Sequence, residues 1–450
     1  MKLRLALDTL RGPKKVRPDA PRWRTEFARE VKSRTVEHTS QKHKTSRLLF
    51  FDNVRSSVVL LVVLFHAAIS YGNVVPWWYV VDSRRSQLFD VFTAILAVFM
   101  MPVLFFVAGY FALPSLQDKG PAAFLKSKIR RLGIPWLFGV FFLVPIMPYV
   151  RHYTRSADNG EVALSYWRFW VTSMSSSGWF RYAPLNLLED RFYPGYFWFI
   201  SLLLCFFVVL CLLYEAKKKW LGGSVHFSQA EAASSRSILV RLLLFGFISS
   251  VGFLAVGWLS SFESWVIIAN VLMFQPANLV LYVCYFSFGV YAFSRRWFAN
   301  GHGLGRLTTW GPICLLLSIG YLIVVKKALA GPTKELAIAF GFSHSFLCLS
   351  LLVVLISSAV RYWNRPSAIG QRLALNSYNI YLVHLPIVVA FQLFLAGWQG
   401  PALVKFTIVA VASVLSSYGI SQYVIEKSRL LTVIGLAVLF ALMSILIHPR

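Results

Sequence analysis

Eleven stretches long and apolar enough to cross a lipid bilayer follow one another between residues 54 and 447. They fall at about 54–73, 88–112, 132–150, 196–214, 238–260, 266–293, 309–325, 336–359, 374–395, 402–424 and 430–447. Inside hydrocarbon each backbone N–H and C=O must be satisfied within the protein, so stretches of this length become helices. The expected fold is an all-α polytopic membrane protein with about 10–11 transmembrane helices. Composition agrees, with 57% of the 450 residues hydrophobic, against about 45–50% apolar in soluble domains.

The 45 Lys and Arg against 18 Asp and Glu would suggest a nucleic-acid partner on a soluble chain. Here the positive-inside rule accounts for the surplus, and no nucleic acid is expected. Residues 1–46 carry 13 Lys/Arg and 5 Asp/Glu and hold no apolar run long enough for a signal peptide, so an uncleaved cytoplasmic arm is expected. Arg22, Arg24, Arg29, Lys32 and Arg34 can lie on anionic headgroups, or the arm is simply an unstructured tail. With this arm inside, the loops 113–131, 215–237, 294–308, 360–373 and 425–429 fall inside, and every one is basic. The five cysteines lie in apolar stretches, and no CxxC, HExxH or phosphate-loop motif stands in a suitable context. Neither a disulfide framework nor a metal centre is expected.

Within this frame the ionisable residues inside spans carry the functional signal, because each is costly unless it pairs or lines a wet cavity. In RSSVVLLVVLFH, Arg55 and His66 stand eleven steps apart, almost three helical turns, and so share one face. At about 1.5 Å per residue they are roughly 16 Å apart, which puts His66 near mid-depth if Arg55 lies at a surface. Asp52, three residues before Arg55, lies on the same face and can orient its guanidinium. In NSYNIYLVHLP, Ser377, Tyr381 and His384 form one polar stripe, with His384 at about the depth of His66. Two histidines at one level suggest one cavity. A third, His344, reads as a packing residue.

Gly109, Pro102 and Pro114 are expected to loosen or end the second helix, and Pro135 to break the third. Between them Lys126, Lys128, Arg130 and Arg131 are either a topology signal or a docking site for a phosphorylated ligand. The outer segment 151–195 combines aromatic residues, Trp170 and Trp179 among them, with Asp158, Glu161, Glu189 and Asp190. That mixture suits either a belt at the lipid interface or a surface that binds sugars.

FFDNVRSSVVLLVVLFH resembles the opening motif of the acyltransferase-3 family of membrane acyltransferases, in which an arginine and a histidine separated by ten residues share the first span. MPVLFFVAGYF, KIRRLGIPW, GYFWFISLLL and SYNIYLVHLP continue the resemblance in family order over roughly residues 48–425, and the wording is most similar to the branch that succinylates periplasmic glucans. Where the family often has a histidine before the Trp-Phe of the fourth span, this chain has Tyr196 and Phe197.

The resemblance implies an integral-membrane O-acyltransferase of a bacterial inner membrane, divided into an arm (1–46), a family core (47–425) and an additional C-terminal helix (426–450). An acyl-CoA-like donor would be held by Arg55, Lys128, Arg130 and Arg131, with His66 as general base and His384 and Asp52 in the catalytic set. The acceptor, a hydroxyl of an envelope carbohydrate or glycolipid, would meet Trp179, Glu189, Asp190, Trp198 and Tyr381. A transporter or flippase for a lipid-linked sugar or small anion would also use intramembrane His and Arg, but the hydropathy shows no inverted halves.

Overall fold

The computed structural model describes residues 48–175, 180–184, 193–220, 235–298, 301 and 303–427. Among them ten helices are long and apolar enough to cross a membrane, one falling on each of the first ten apolar stretches. The eleventh stretch, 430–447, and the arm 1–46 lie outside the described residues.

The first two spans are α1 (Leu49–Ile69) and α2 (Gln87–Lys119). The third is assembled from α3 (Pro121–Lys128), a π turn (Ile129–Gly133), α4 (Ile134–Phe142) and α5 (Ile146–Asp158), so the break falls just before Pro135. A short α6 (Tyr166–Ser175) and strand β1 (Phe180–Pro184) precede a 3-10 turn (Gly195–Phe197) that leads into α7 (Trp198–Trp220). After α8 (Ser235–Ser260) the chain forms β2 (Ser264–Ile268) and β3 (Leu272–Phe274), then α9 (Pro276–Ser294). The remaining spans are α10 (Leu307–Ala330), α11 (Lys334–Tyr362), α12 (Ala368–Leu395) and α13 (Ala402–Ile420), the last continuing into a second π turn (Ser421–Ile425).

Two sequence expectations are corrected here. The second helix does not end at its prolines: α2 runs unbroken through Pro102 and Pro114 and stops at Gly120, whose φ of 73° only glycine adopts easily. Gly109 is needed for packing instead, since a Cβ there would lie 2.0 Å from the Phe286 carbonyl oxygen, and one on Gly289 would lie 2.1 Å from that of Phe106. The two glycines thus let α2 and α9 cross backbone to backbone, as small residues do between membrane helices. Gly109→Ala and Gly289→Ala should each destabilise by about 1–3 kcal/mol through overpacking. Melting of the purified protein in detergent checks this, with Gly320→Ala as control because a Cβ at Gly320 meets nothing within 4 Å.

The apolar stretch at 266–293 is likewise not one helix. Residues 264–274 form a hairpin that reverses at Ala269 and Asn270, both with positive φ, and β1 pairs antiparallel to β2 in a three-stranded sheet. The helix begins only at Pro276, whose missing N–H costs nothing in a first turn.

At the core of the helical unit α1 packs against α2, α11, α12 and α13, burying Val54, Val58, Val62 and Val63. The segment between α1 and α2 folds back over the end of this core and is pinned on several sides. Ser70 Oγ donates to the Val80 carbonyl at 2.6 Å, and the Asp90 carboxylate accepts from the Asn73 and Val74 amides at 2.7 and 3.0 Å. Lys405 on α13, fully buried, donates to Asp82 at 2.7 Å. Asp82→Asn would leave that ammonium buried without its counter-charge, at an expected cost of about 3–5 kcal/mol, whereas the apolar pair Asp82→Leu with Lys405→Met should restore most of the loss. Melting curves of the single and double variants decide this.

Candidate active site

Arg55 and His66 both leave α1 toward α12. At one end of the bundle Arg55 Nη2 donates to the Ala374 carbonyl at 3.1 Å and to Asp52 Oδ1 at 3.4 Å, so Asp52 sits where it can hold the guanidinium. Eleven residues on, His66 Nδ1 lies 3.0 Å from His384 Nε2, with ring centroids 5.0 Å apart. The equal depth read from the two helices has become direct contact.

The tautomers follow from the partners. His384 Nδ1 is 2.7 Å from the Tyr381 carbonyl oxygen, which can only accept, so the proton sits on His384 Nδ1. With the ring neutral, His384 Nε2 is an acceptor and His66 Nδ1–H must be the donor to it. The lone pair of the His66 ring then falls on Nε2, and the Val62 carbonyl one turn back also lies within hydrogen-bonding reach of the ring. His384 is fully buried while His66 is half-buried, so the ring that carries the lone pair is the reachable one.

Local chain chemistry fixes this pair. Pro386 has no N–H to give to the Leu382 carbonyl one turn earlier, and the Tyr196 hydroxyl takes that acceptor at 2.8 Å. The Tyr381 hydroxyl in turn donates to the Tyr196 carbonyl, and the Tyr196 ring stands edge-on to His384 with centroids 5.5 Å apart. Tyr196, one of the two residues where the family often has histidine, is thus a wall of the pair.

Sequence reading missed two partners of the pair. Gln392, buried on α12, donates from Nε2 to the His66 and Ala67 carbonyls at 2.9 and 3.2 Å, acceptors that the last turn of α1 leaves open. Its Oε1 accepts from Trp78 Nε1 at 3.0 Å. The Trp78 indole lies nearly parallel to the His66 ring, 12° between planes and 5.7 Å between centroids. Gln392 and Lys405 were detectable as single polar residues in apolar runs, and Trp78 had no sequence signal beyond its neighbours Trp77 and Tyr79.

From the Arg55 end a cavity of about 200 Å³ leads inward. Arg55, Lys128 and Arg131 line it with positive charge, Leu104, Val107 and Phe199 give it apolar walls, and Ser377 and Tyr381 carry it to within one turn of His384. Arg131 belongs to the π turn after α3, where Leu132 also offers its carbonyl to the Tyr378 hydroxyl at 3.1 Å. Lys128 Nζ lies over the Phe207 and Phe124 rings, 4.6 and 5.1 Å from their centroids.

Other expected site residues fall elsewhere. Arg130 is exposed and does not line this cavity. Trp198 packs on Tyr282 and Trp265 against the cluster of Tyr193, Ile267 and Met273 beneath the sheet. Trp179, Glu189 and Asp190 lie outside the described residues. His344 stacks on Phe253 at 4.8 Å between helices, the packing role expected of it.

The acyltransferase-3 family model, described as an acyltransferase domain, matches residues 48–422. Among curated proteins the chain is similar to glucans biosynthesis protein C of Shigella dysenteriae serotype 1, 28% identical over 114 residues, which cover 24% of this chain and 29% of that protein. The Escherichia coli protein of that name is 28% identical over 94 residues, 21% and 24% of the two chains. That of Salmonella paratyphi B is 24% identical over 124 residues, 27% and 32%. The chain thus spans less than a third of the length of these relatives. No solved structure matches. With most of its length matched by the family model and ten helices apolar enough to cross a membrane among the described residues, the chain belongs to the acyltransferase-3 family and is a multi-pass membrane protein.

Proposed function

We propose that the protein transfers an acyl group of acetyl or succinyl type from an acyl-CoA-like thioester to a hydroxyl of an envelope glycan or related carbohydrate or lipid acceptor. The observation that carries this reading is the alignment of a basic-mouthed apolar cavity with the His66–His384 pair. Phosphates at Arg55, Lys128 and Arg131 would leave the acyl arm lying along Leu104, Val107 and Phe199 toward Tyr381. His66 Nε2 takes the acceptor hydroxyl proton as the oxygen attacks the thioester carbon. The C–O bond forms, the C–S bond breaks, and the leaving thiolate receives the proton back from His66.

On this reading the Arg55 end faces the cytoplasm from a bacterial inner membrane, which the basic charge of the loops at that end supports. The same reading divides the chain into the arm 1–46, the catalytic core 47–425 and the C-terminal segment 426–450. A glucan acceptor is favoured by the name of the similar proteins, glucans biosynthesis protein C.

The test is purified protein in lipid nanodiscs supplied with acetyl-CoA or succinyl-CoA and a glucose oligosaccharide. Free CoA should appear in an acceptor-dependent way, and the acceptor mass should rise by one acyl group. Intact thioester and unchanged acceptor with every donor would overturn the reading. In the same assay Arg131→Glu and Arg55→Lys should each raise the donor KM about 10- to 100-fold, the loss of one charge-assisted contact. Arg130→Glu should change it several-fold less, since Arg130 stands off the cavity. Equal effects at 130 and 131 would mean that the cluster acts only as surface charge.

A further inference from the structure

The donor cavity ends at Tyr381 on the Arg55 side of the histidine pair, which leaves open how an acceptor reaches His66. The Nδ1 side of His66 is occupied by His384, and one face of the ring is covered by Trp78. An acceptor hydroxyl must come within about 2.6–3.2 Å of Nε2 to lose its proton there. The indole, stacked on that ring, borders the space from which a hydroxyl can approach Nε2.

Trp78 is held unusually well for a residue between two spans. Its Nε1–H is fixed by Gln392, the amide that also binds the His66 carbonyl, so the indole and the His66 backbone are set by one side chain. The segment that carries it is anchored through Asp82 to Lys405 and through Asp90 to Asn73 and Val74. The neighbouring Tyr79 ring lies 4.8 Å from the indole, and its hydroxyl is hydrogen-bonded to Tyr193. Trp78 is nevertheless only half-buried. A large, flat, immobilised and partly open aromatic surface beside a base is suited to a ring with an apolar C–H face and hydroxyls around its rim, because stacking then costs little ordering of the protein.

We infer that Trp78 is the acceptor-binding platform of the site: a carbohydrate ring stacks on the indole, and the Gln392 contact sets the height at which one of its hydroxyls meets His66 Nε2. This rests on the acyl-transfer reading and adds to it the residue that selects a carbohydrate over a simple alcohol. Gln392 is the positioning residue of the platform.

The experiment compares transfer to a glucose oligosaccharide with transfer to glycerol, which has no ring to stack, using one acyl-CoA donor in nanodiscs. In Trp78→Leu the ratio of kcat/KM for oligosaccharide over glycerol should fall at least tenfold, chiefly through the oligosaccharide KM, with the donor KM unchanged. Trp78→Phe, which keeps a smaller ring without the Nε1 donor, should lie between wild type and Trp78→Leu. Gln392→Leu should move the same ratio in the same direction although the indole is retained. If both acceptors lose rate equally, or the ratio stays at the wild-type value, the platform is refuted and the acyl-transfer reading still stands. Should wild-type protein consume no thioester with either acceptor, it is the acyl-transfer reading that fails, and the platform falls with it.

Discussion

His66→Ala is expected to lower acyl transfer by about 10²- to 10⁴-fold, the range supplied by a positioned general base. The donor cavity does not include His66, so donor binding should persist. Stability should change modestly. The variant takes the donor away from His384 Nε2, which is fully buried, at a cost of about 1–3 kcal/mol. Alanine offsets part of this as the better helix former. Measured side by side, turnover should collapse while the melting temperature and the donor KM stay near wild type. Activity that falls only in step with the folded fraction would assign His66 a packing role.

His384 acts on the reaction through His66, and its variants separate orientation from bulk. In His384→Ala the His66 ring loses the acceptor that keeps its proton on Nδ1, and loss of a comparable tautomer-fixing contact in hydrolytic triads costs about 10⁴-fold in kcat. A drop of about 10²- to 10⁴-fold with little change in donor KM is expected. His384→Gln should retain more activity than His384→Ala, because an amide oxygen reaches near the Nε2 position and can accept from His66 Nδ1–H. Equal loss in the two variants would mean that the ring volume, not the acceptor atom, is what the site needs.

The spans were legible because a bilayer leaves a long apolar stretch one way to satisfy its backbone. The histidine pair was legible for the same regularity: a fixed rise and a fixed turn let two depths be compared on two helices. Where that regularity fails, so did the reading. SWVII reads as the start of a helix, yet Ala269 and Asn270 turn it into a hairpin. The π turn at Ile129–Gly133 changes the helical phase, so the sequence could not say that Arg131 would face the cavity and Arg130 would not. Gly109 was read for its freedom, whereas its missing Cβ is what α9 requires. Of the expected acceptor contacts, Trp198 packs beneath the sheet and Trp179, Glu189 and Asp190 lie outside the described residues, while the indole on His66 belongs to the connection after the first span, where no regular element marks it in the sequence. Gln392 and Lys405 did break apolar runs, and weighing every polar residue there as heavily as the histidines would have found them.

The lone pair on His66 Nε2 is the point on which the proposed chemistry turns, and ¹⁵N NMR of histidine-labelled protein in nanodiscs observes it directly. The resonances that vanish in His66→Ala identify the ring in question. A protonated Nδ1 and an unprotonated Nε2 on His66 at neutral pH, with the Nε2 signal shifting toward the protonated form in His384→Ala, is the predicted result. A proton on His66 Nε2 in the wild-type protein would contradict the mechanism, since the atom facing the acceptor would then have nothing with which to take its proton.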